Sequence, residues 1–252
     1  MNCDNDILQN RSFAQMTFIS GTKKKQHKVK DNFKAFLTEG ASYTEIEQYP
    51  IIEEWMIPEK IDDVFDAVPL DRLSEIKNIK EWYVCPYCCD EDLLKIYRNP
   101  WKYVNTLRRA KAVLGFDLSP HSDMPYLKQK NQMYDNLAIT YYMGKRHVKI
   151  IPNVRYGCRH VADDYLKAFP HHRLISIGTY GCVKTVQEKR IYYDFLCRTL
   201  PELEPSGITV YGSMPKDVFS DFVEDYRFYH MMEYIKRIPF ENSNQRGKTG
   251  EK

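Results

Sequence analysis

Asp117 and Asp123, two carboxylates six residues apart, are the first residues in this chain that could do chemistry. Asp117 follows the apolar run Ala112-Val113-Leu114-Gly115-Phe116, and Asp123 precedes Met124-Pro125. Carboxylate oxygens suit Mg²⁺, which often uses only one or two protein carboxylates. Mg²⁺ on Asp117 and Asp123 would polarise a phosphoryl group or activate water, and without it either carboxylate could act as a base. Asp123 has a structural reading too: an acid before a helix start can cap its free N–H groups. Arg155 is the third candidate. Its guanidinium is a planar fork for phosphate or carboxylate, or the partner of Asp117 or Asp123 in an ion pair. Those two roles are compatible. Ser119 and Tyr156 stand where they could orient a substrate, and His121, Asn153, Thr179 and Tyr211 add polar groups to the same set.

The cysteines suggest three further chemistries. Cys182 lies in Gly178-Thr179-Tyr180-Gly181-Cys182, and with His121 or His160 it could form a nucleophile and its base. Cys85-x-x-Cys88-Cys89 has the spacing of half a zinc site or of a redox pair. A structural zinc site wants a second such pair, and the sequence has none; His171 and His172 are adjacent and badly spaced. Incidental small buried thiols are the plainer reading of all of them. No Gly-x-x-x-x-Gly-Lys loop, Gly-x-Gly-x-x-Gly turn or Gly-x-Ser-x-Gly elbow occurs.

The elements that must position these residues are legible from Trp82 onward. Trp82–Val84, Ala112–Phe116, Val148–Ile151, Leu174–Ile177 and Ile208–Tyr211 read as strands. Several are continuous apolar runs, as expected of strands buried on both faces. Helices separate them. One starts at Asn99-Pro100 with Trp101, Val104 and Leu107 on its apolar side. A long one runs from Pro125 to Lys145, with Leu127, Tyr134, Leu137, Ala138 and Tyr141 on one face and Gly144 as its stop. A third carries Val161, Tyr165, Leu166 and Phe169, and a fourth Ile191, Phe195 and Leu196. The last carries Val218, Phe222, Tyr226 and Tyr229. Alternating strands and helices predict an α/β fold with a parallel sheet, barrel-like or an incomplete (β/α) barrel. An open doubly wound sheet is the alternative. Each strand ends in its own polar tip, and in both architectures ligands gather at those carboxyl ends.

The tips also carry a resemblance. Asp117-x-Ser119-x-x-x-Asp123-Met124-Pro125, Ile151-Pro152-x-Val154-Arg155-Tyr156-Gly157, Gly181-Cys182 and Tyr211-Gly212, in this order, resemble the signature of a family, the domain of unknown function numbered 4417. The resemblance covers Trp82 to Pro215. It implies a setting in phages, plasmids or other mobile elements of bacteria, and it supplies no established reaction.

Composition bounds the rest. Hydrophobic residues make up 43% of 252, enough for a buried core. No apolar run approaches the ~18 residues of a membrane span. The start, Met1-Asn2-Cys3-Asp4-Asn5-Asp6, lacks the basic-then-apolar order of a secretory signal. Seven irregularly spaced cysteines read as reduced thiols, so a cytoplasmic protein is expected. From Lys23 to Lys34 six lysines face one acid, which gives that segment +5 and leaves −2 for the rest of a chain of net +3. We therefore expect a basic arm over 1–40, a single α/β domain over 41–240 and a disordered tail over 241–252.

Two functions follow as expectations. One is an enzyme acting on a phosphate-bearing substrate, a nucleotide or nucleic acid, at the strand tips. Asp117, Asp123 and Arg155 would be its catalytic set. The other is a non-catalytic phage or plasmid protein that binds a host protein or nucleic acid, its tip residues forming a structural polar network. Neither involves a membrane.

Overall fold

The computed structural model describes residues 31, 34–62, 67–121 and 123–231. The expected tail, 241–252, lies outside the described residues, as does the expected arm apart from 31 and 34–40.

Among the described residues seven parallel strands alternate with helices. They are β1 (Ala67–Pro69), β2 (Tyr83–Cys85), β3 (Val113–Leu114), β4 (Ile150–Ile151), β5 (Leu174–Gly178), β6 (Gly207–Tyr211) and β7 (Phe228–Met231). The helices are α1 (Asp90–Arg98), α2 (Trp101–Leu107), α3 (Tyr126–Gly144), α4 (Ala162–Leu166), α5 (Val186–Leu203) and α6 (Lys216–Phe219). β1 to β4 form one sheet in chain order, and β5 to β7 form a second, also in chain order. A short ladder joins them just past β4. Asn153 pairs in parallel with Ser176, Ser176 N–H donates to Pro152 O at 2.8 Å, and Val154 N–H donates to Ser176 O at 2.9 Å.

Strand order therefore follows the chain from β1 to β7 without reversal. Right-handed crossovers taken repeatedly in one direction put their helices on one face of the sheet and let the other face curl inward. A doubly wound sheet needs a point where the order reverses, and this order has none. The incomplete barrel is the form that matches. Among the described residues no pairing joins β7 to β1, so the barrel is not closed.

Alternation along the first four strands splits the core in two. Val68, Val84, Val113 and Ile150 pack with Leu93 and Ile96 of α1, Val104 and Leu107 of α2, and Ile139 and Met143 of α3. Ala67, Tyr83, Cys85, Leu114 and Ile151 join β5, β6 and α5 in the second cluster. Each large aliphatic side chain so buried stabilises the fold by roughly 1.5–3 kcal/mol relative to exposure. α3 serves both clusters: Met133, Leu137 and Tyr141 in one, Ala138, Ile139 and Met143 in the other. That explains why its last turns are apolar almost all round. A Cβ at Gly144 would lie 2.5 Å from Met56 Sδ, so a close approach demands this glycine as well as the helix end.

Four expectations need correction. The last helix stops at Phe219, and Tyr229 lies on β7, where pairing with β6 takes up the backbone groups. Asn99 does not cap α2: its N–H donates back to Lys95 O and Ile96 O and closes α1. Trp101 and Leu127, expected on apolar faces, are 53% and 75% exposed. Asp123 is exposed and bonds no N–H at the start of α3, whose cap position is Pro125. No helix among the described residues is long and apolar enough to cross a membrane.

Candidate functional site

A cavity of about 700 Å³ opens at the carboxyl ends of the strands. Six consecutive tips line it. β1 contributes Asp71 and Arg72, β2 contributes Tyr87 and Cys88, and β3 contributes Asp117, Ser119 and His121. β4 contributes Arg155 and Tyr156, β5 contributes Tyr180 and Cys182, and β6 ends in the cavity with Tyr211. One face of α5 forms a further wall: Glu188, Ile191, Tyr192 and Phe195, spaced as one helical stripe. α5 is fixed there by a capping box. Glu188 N–H donates to Thr185 Oγ1 at 3.2 Å, and Thr185 N–H donates to Glu188 Oε2 at 2.7 Å.

Asp117 sits at the centre of a hydrogen-bonded chain. It is 5% exposed. Arg155 Nη1 donates to its Oδ2, and Asn153 Nδ2 donates to its Oδ1 at 2.9 Å. Asn153 in turn accepts from the Tyr87 hydroxyl at 3.0 Å. Tyr87 stacks on Tyr211, ring centroids 5.0 Å apart and planes 13° from parallel. Gly178 makes room for it, since a Cβ there would lie 2.5 Å from Tyr87 Cε1. The far edge of Arg155 reaches Cys182, Nη2 to Sγ 3.8 Å. Burial pushes the Asp117 carboxyl up, while Arg155 and the Asn153 amide pull it back. The Asp117 charge keeps Arg155 protonated above even its ordinary value. Burial, then the Asp117 charge, raises the Tyr87 hydroxyl well above its ordinary value, so it donates as a neutral phenol.

The other candidate residues divide around this chain. Ser119 lines the cavity, and its N–H donates to Asp90 at 3.3 Å. His121 lines the cavity and is exposed. Tyr156 lines it with its hydroxyl 3.3 Å from Thr199 Oγ1. Thr179 is 1% exposed and is spent on Tyr211 O, which accepts its N–H at 2.9 Å. Asn153 is 4% exposed and acts behind the lining, through Asp117. Asp123 is not part of the lining.

The paired-carboxylate arrangement for Mg²⁺ is therefore not assembled around the cavity. Both Asp117 oxygens accept from Asn153 or Arg155, and a guanidinium against the carboxylate repels a second cation. Among the described residues no cluster of three His, Cys, Asp or Glu side chains could hold a metal ion. The donor set does not fit Mg²⁺.

Burial disfavours the thiolate at Cys85, Cys88 and Cys182. All six described cysteines are free. Burial raises the Cys182 thiol and outweighs the lowering effect of Arg155. Its sulfur contacts Arg155 and Tyr180 O, with no histidine among its partners. Cys85 is fully buried and pushed well up, and Cys88 is pushed up to about 12, burial leading in both cases. A redox pair or a zinc ligand wants thiolates, which these surroundings disfavour.

Sequence reasoning missed Tyr87, Asp90 and the α5 wall. Tyr87 follows β2 within a polar tip, so the rule that found Asp117 could have found it. The α5 wall shows the i, i+3, i+4, i+7 spacing of one helix face.

A family model described as Domain of unknown function (DUF4417) matches residues 63–234. The chain belongs to this family. The match extends on both sides of the Trp82–Pro215 segment that carried the resemblance, and it spans all six tips around the cavity. No curated protein and no solved structure matches the chain.

Proposed function

We propose that the protein is an enzyme acting on a phosphate-bearing substrate, a nucleotide or a nucleic-acid end, held in the strand-tip cavity. The observation that carries this reading is Arg155. A buried carboxylate grips one edge of its guanidinium, and the side chain is still 25% exposed into the cavity. A guanidinium oriented before the ligand arrives loses little freedom on binding an oxyanion. Asp117 then serves as a positioning residue rather than a base or metal ligand, and Asn153 holds Asp117 in turn. Ser119, His121 and Tyr156 are the polar groups placed to meet the rest of the substrate. The cavity volume is in the ordinary range for small-molecule sites of roughly 300–1,000 Å³. The mobile-element setting implied by the family resemblance makes nucleic acid a natural source of the phosphate, and that setting is part of the proposal.

Calorimetric titration of ribose 5-phosphate against ribose tests the anion site. A charge-assisted hydrogen bond is worth about 1.5–3 kcal/mol, so the phosphate should bind roughly tenfold to a hundredfold more tightly. Arg155→Gln should erase that difference in a protein that still melts cooperatively. Equal affinity for the two sugars in the native protein would sink the proposal. Incubation with mixed nucleotides and short oligonucleotides, read by mass spectrometry, then separates an enzyme from a protein that only binds.

A further inference from the structure

We infer that the occupant is a nucleoside phosphate whose base lies against Tyr180 and Ile191. This rests on the phosphate reading of Arg155 and adds the base. Most aromatic residues of the cavity are already in use. Tyr87 and Tyr211 stack on each other, Tyr192 is 9% exposed and donates its hydroxyl to Gly178 O at 3.2 Å, and Phe195 packs on Tyr156 at 5.0 Å. Tyr180 and Ile191 differ. They line the same cavity and are 54% and 51% exposed. Among the described residues the Tyr180 ring has no stacking partner and its hydroxyl no hydrogen bond.

The cavity lining therefore offers two kinds of surface. Arg155, Ser119 and His121 are polar and cationic, and Tyr180 and Ile191 are apolar and uncovered. A sugar phosphate satisfies only the first. A planar base covers the second, and stacking on an aromatic ring tolerates any base because each has a π-face. Next to Tyr180, Gly181 sits at φ +77°, and the space where its Cβ would be is open for 4 Å. A ligand can thus approach the loop backbone beside the ring.

Titration of the full chain with adenosine 5′-monophosphate, cytidine 5′-monophosphate and ribose 5-phosphate tests this. Both nucleotides should bind at least about fivefold more tightly than the sugar phosphate, the lower end of what base stacking contributes. Tyr180→Ala should remove most of that gain and leave ribose 5-phosphate unchanged, and Tyr180→Trp should keep it. Tyr180 is on the surface, so these variants keep the fold. If ribose 5-phosphate binds as tightly as the nucleotides, the base site is wrong and the anion site stands. If none of the three binds, both are wrong. Loss of sugar-phosphate binding in Tyr180→Ala would also overturn the division of the lining into an anion surface and a base surface.

Discussion

If Asp117 exists to hold Arg155, the two must be energetically coupled, and the coupling can be sized from their burial. The Asp117 side chain is 6% exposed and that of Arg155 25%. Deleting one member of a buried ion pair typically costs 3–5 kcal/mol, because the other charge is left uncompensated. Arg155 keeps one edge toward cavity water, which reduces the cost of Asp117→Ala to about 2–3 kcal/mol. In a chain of this size each kcal/mol moves Tm by about 2–4 °C, so the variant should melt roughly 4–12 °C lower. Arg155→Ala should cost a similar amount by orphaning Asp117. The double variant removes both charges together. Its loss should be smaller than the sum of the single losses by about 1.5–3 kcal/mol, measured by urea unfolding of all four proteins. Additivity within about 0.5 kcal/mol would mean that the pair does not act as a unit. Arg155 would then owe its position to packing alone, and the positioning role of Asp117 would be refuted.

Two other perturbations probe the surrounding frame. Gly178→Ala puts a Cβ 2.5 Å from the Tyr87 ring, which must leave its stack on Tyr211 and its bond to Asn153; urea unfolding should show a loss of about 1–3 kcal/mol. In the α5 capping box, backbone N–H groups hold the Glu188 carboxyl below its ordinary value of 4.5. A carboxyl depressed in the folded state adds stability that is complete above its unfolded pKa and lost as pH falls through the folded one. Melting curves of the native protein should therefore fall more steeply than those of Glu188→Gln below about pH 4.5, and parallel curves would contradict the capping box.

What could be read from sequence follows from burial. Parallel strands covered on both faces are apolar throughout, so β2 to β6 stood out as runs such as Leu174-Ile175-Ser176-Ile177. β1 is only Ala67-Val68-Pro69, too short for a pattern and ending in proline. β7, Phe228-Tyr229-His230-Met231, is half-buried at two of its four positions and exposed at a third, and so lacks that mark. Its Tyr229, three residues past Tyr226, also continues the helical spacing of Val218, Phe222 and Tyr226, which turns rather than a continuous helix satisfy: Tyr226 N–H donates to Phe222 O at 2.9 Å. The spacing was a true local signal, and strand pairing with β6 overrode it. The site was legible as a place, because polar tips after apolar strands mark the ligand edge. The role of each tip residue was less so. Asp123 shares a motif with Asp117 but stands outside the cavity lining, and nothing in a linear spacing of six distinguishes the two.

Register supplies what spacing could not. Leu114 of β3 is level with Ile151 of β4. Asp117 lies three residues past Leu114, and Asn153 and Arg155 lie two and four past Ile151, so all three fall just beyond the carboxyl ends of two adjacent parallel strands, where Asp117 accepts from both. A carboxylate at 5% exposure cannot stay uncompensated there. Strand order that never reverses makes β4 the next tip after β3, and that tip carries an arginine. Consecutive order and this register bring the two tips within reach, and the loops beyond the strand ends complete the ion pair. It also decides the division of labour. A buried carboxylate already neutralised by a guanidinium holds a second cation poorly, whereas its guanidinium partner is still 25% exposed at the cavity. Of this buried pair, the member left to meet an anionic ligand is therefore Arg155.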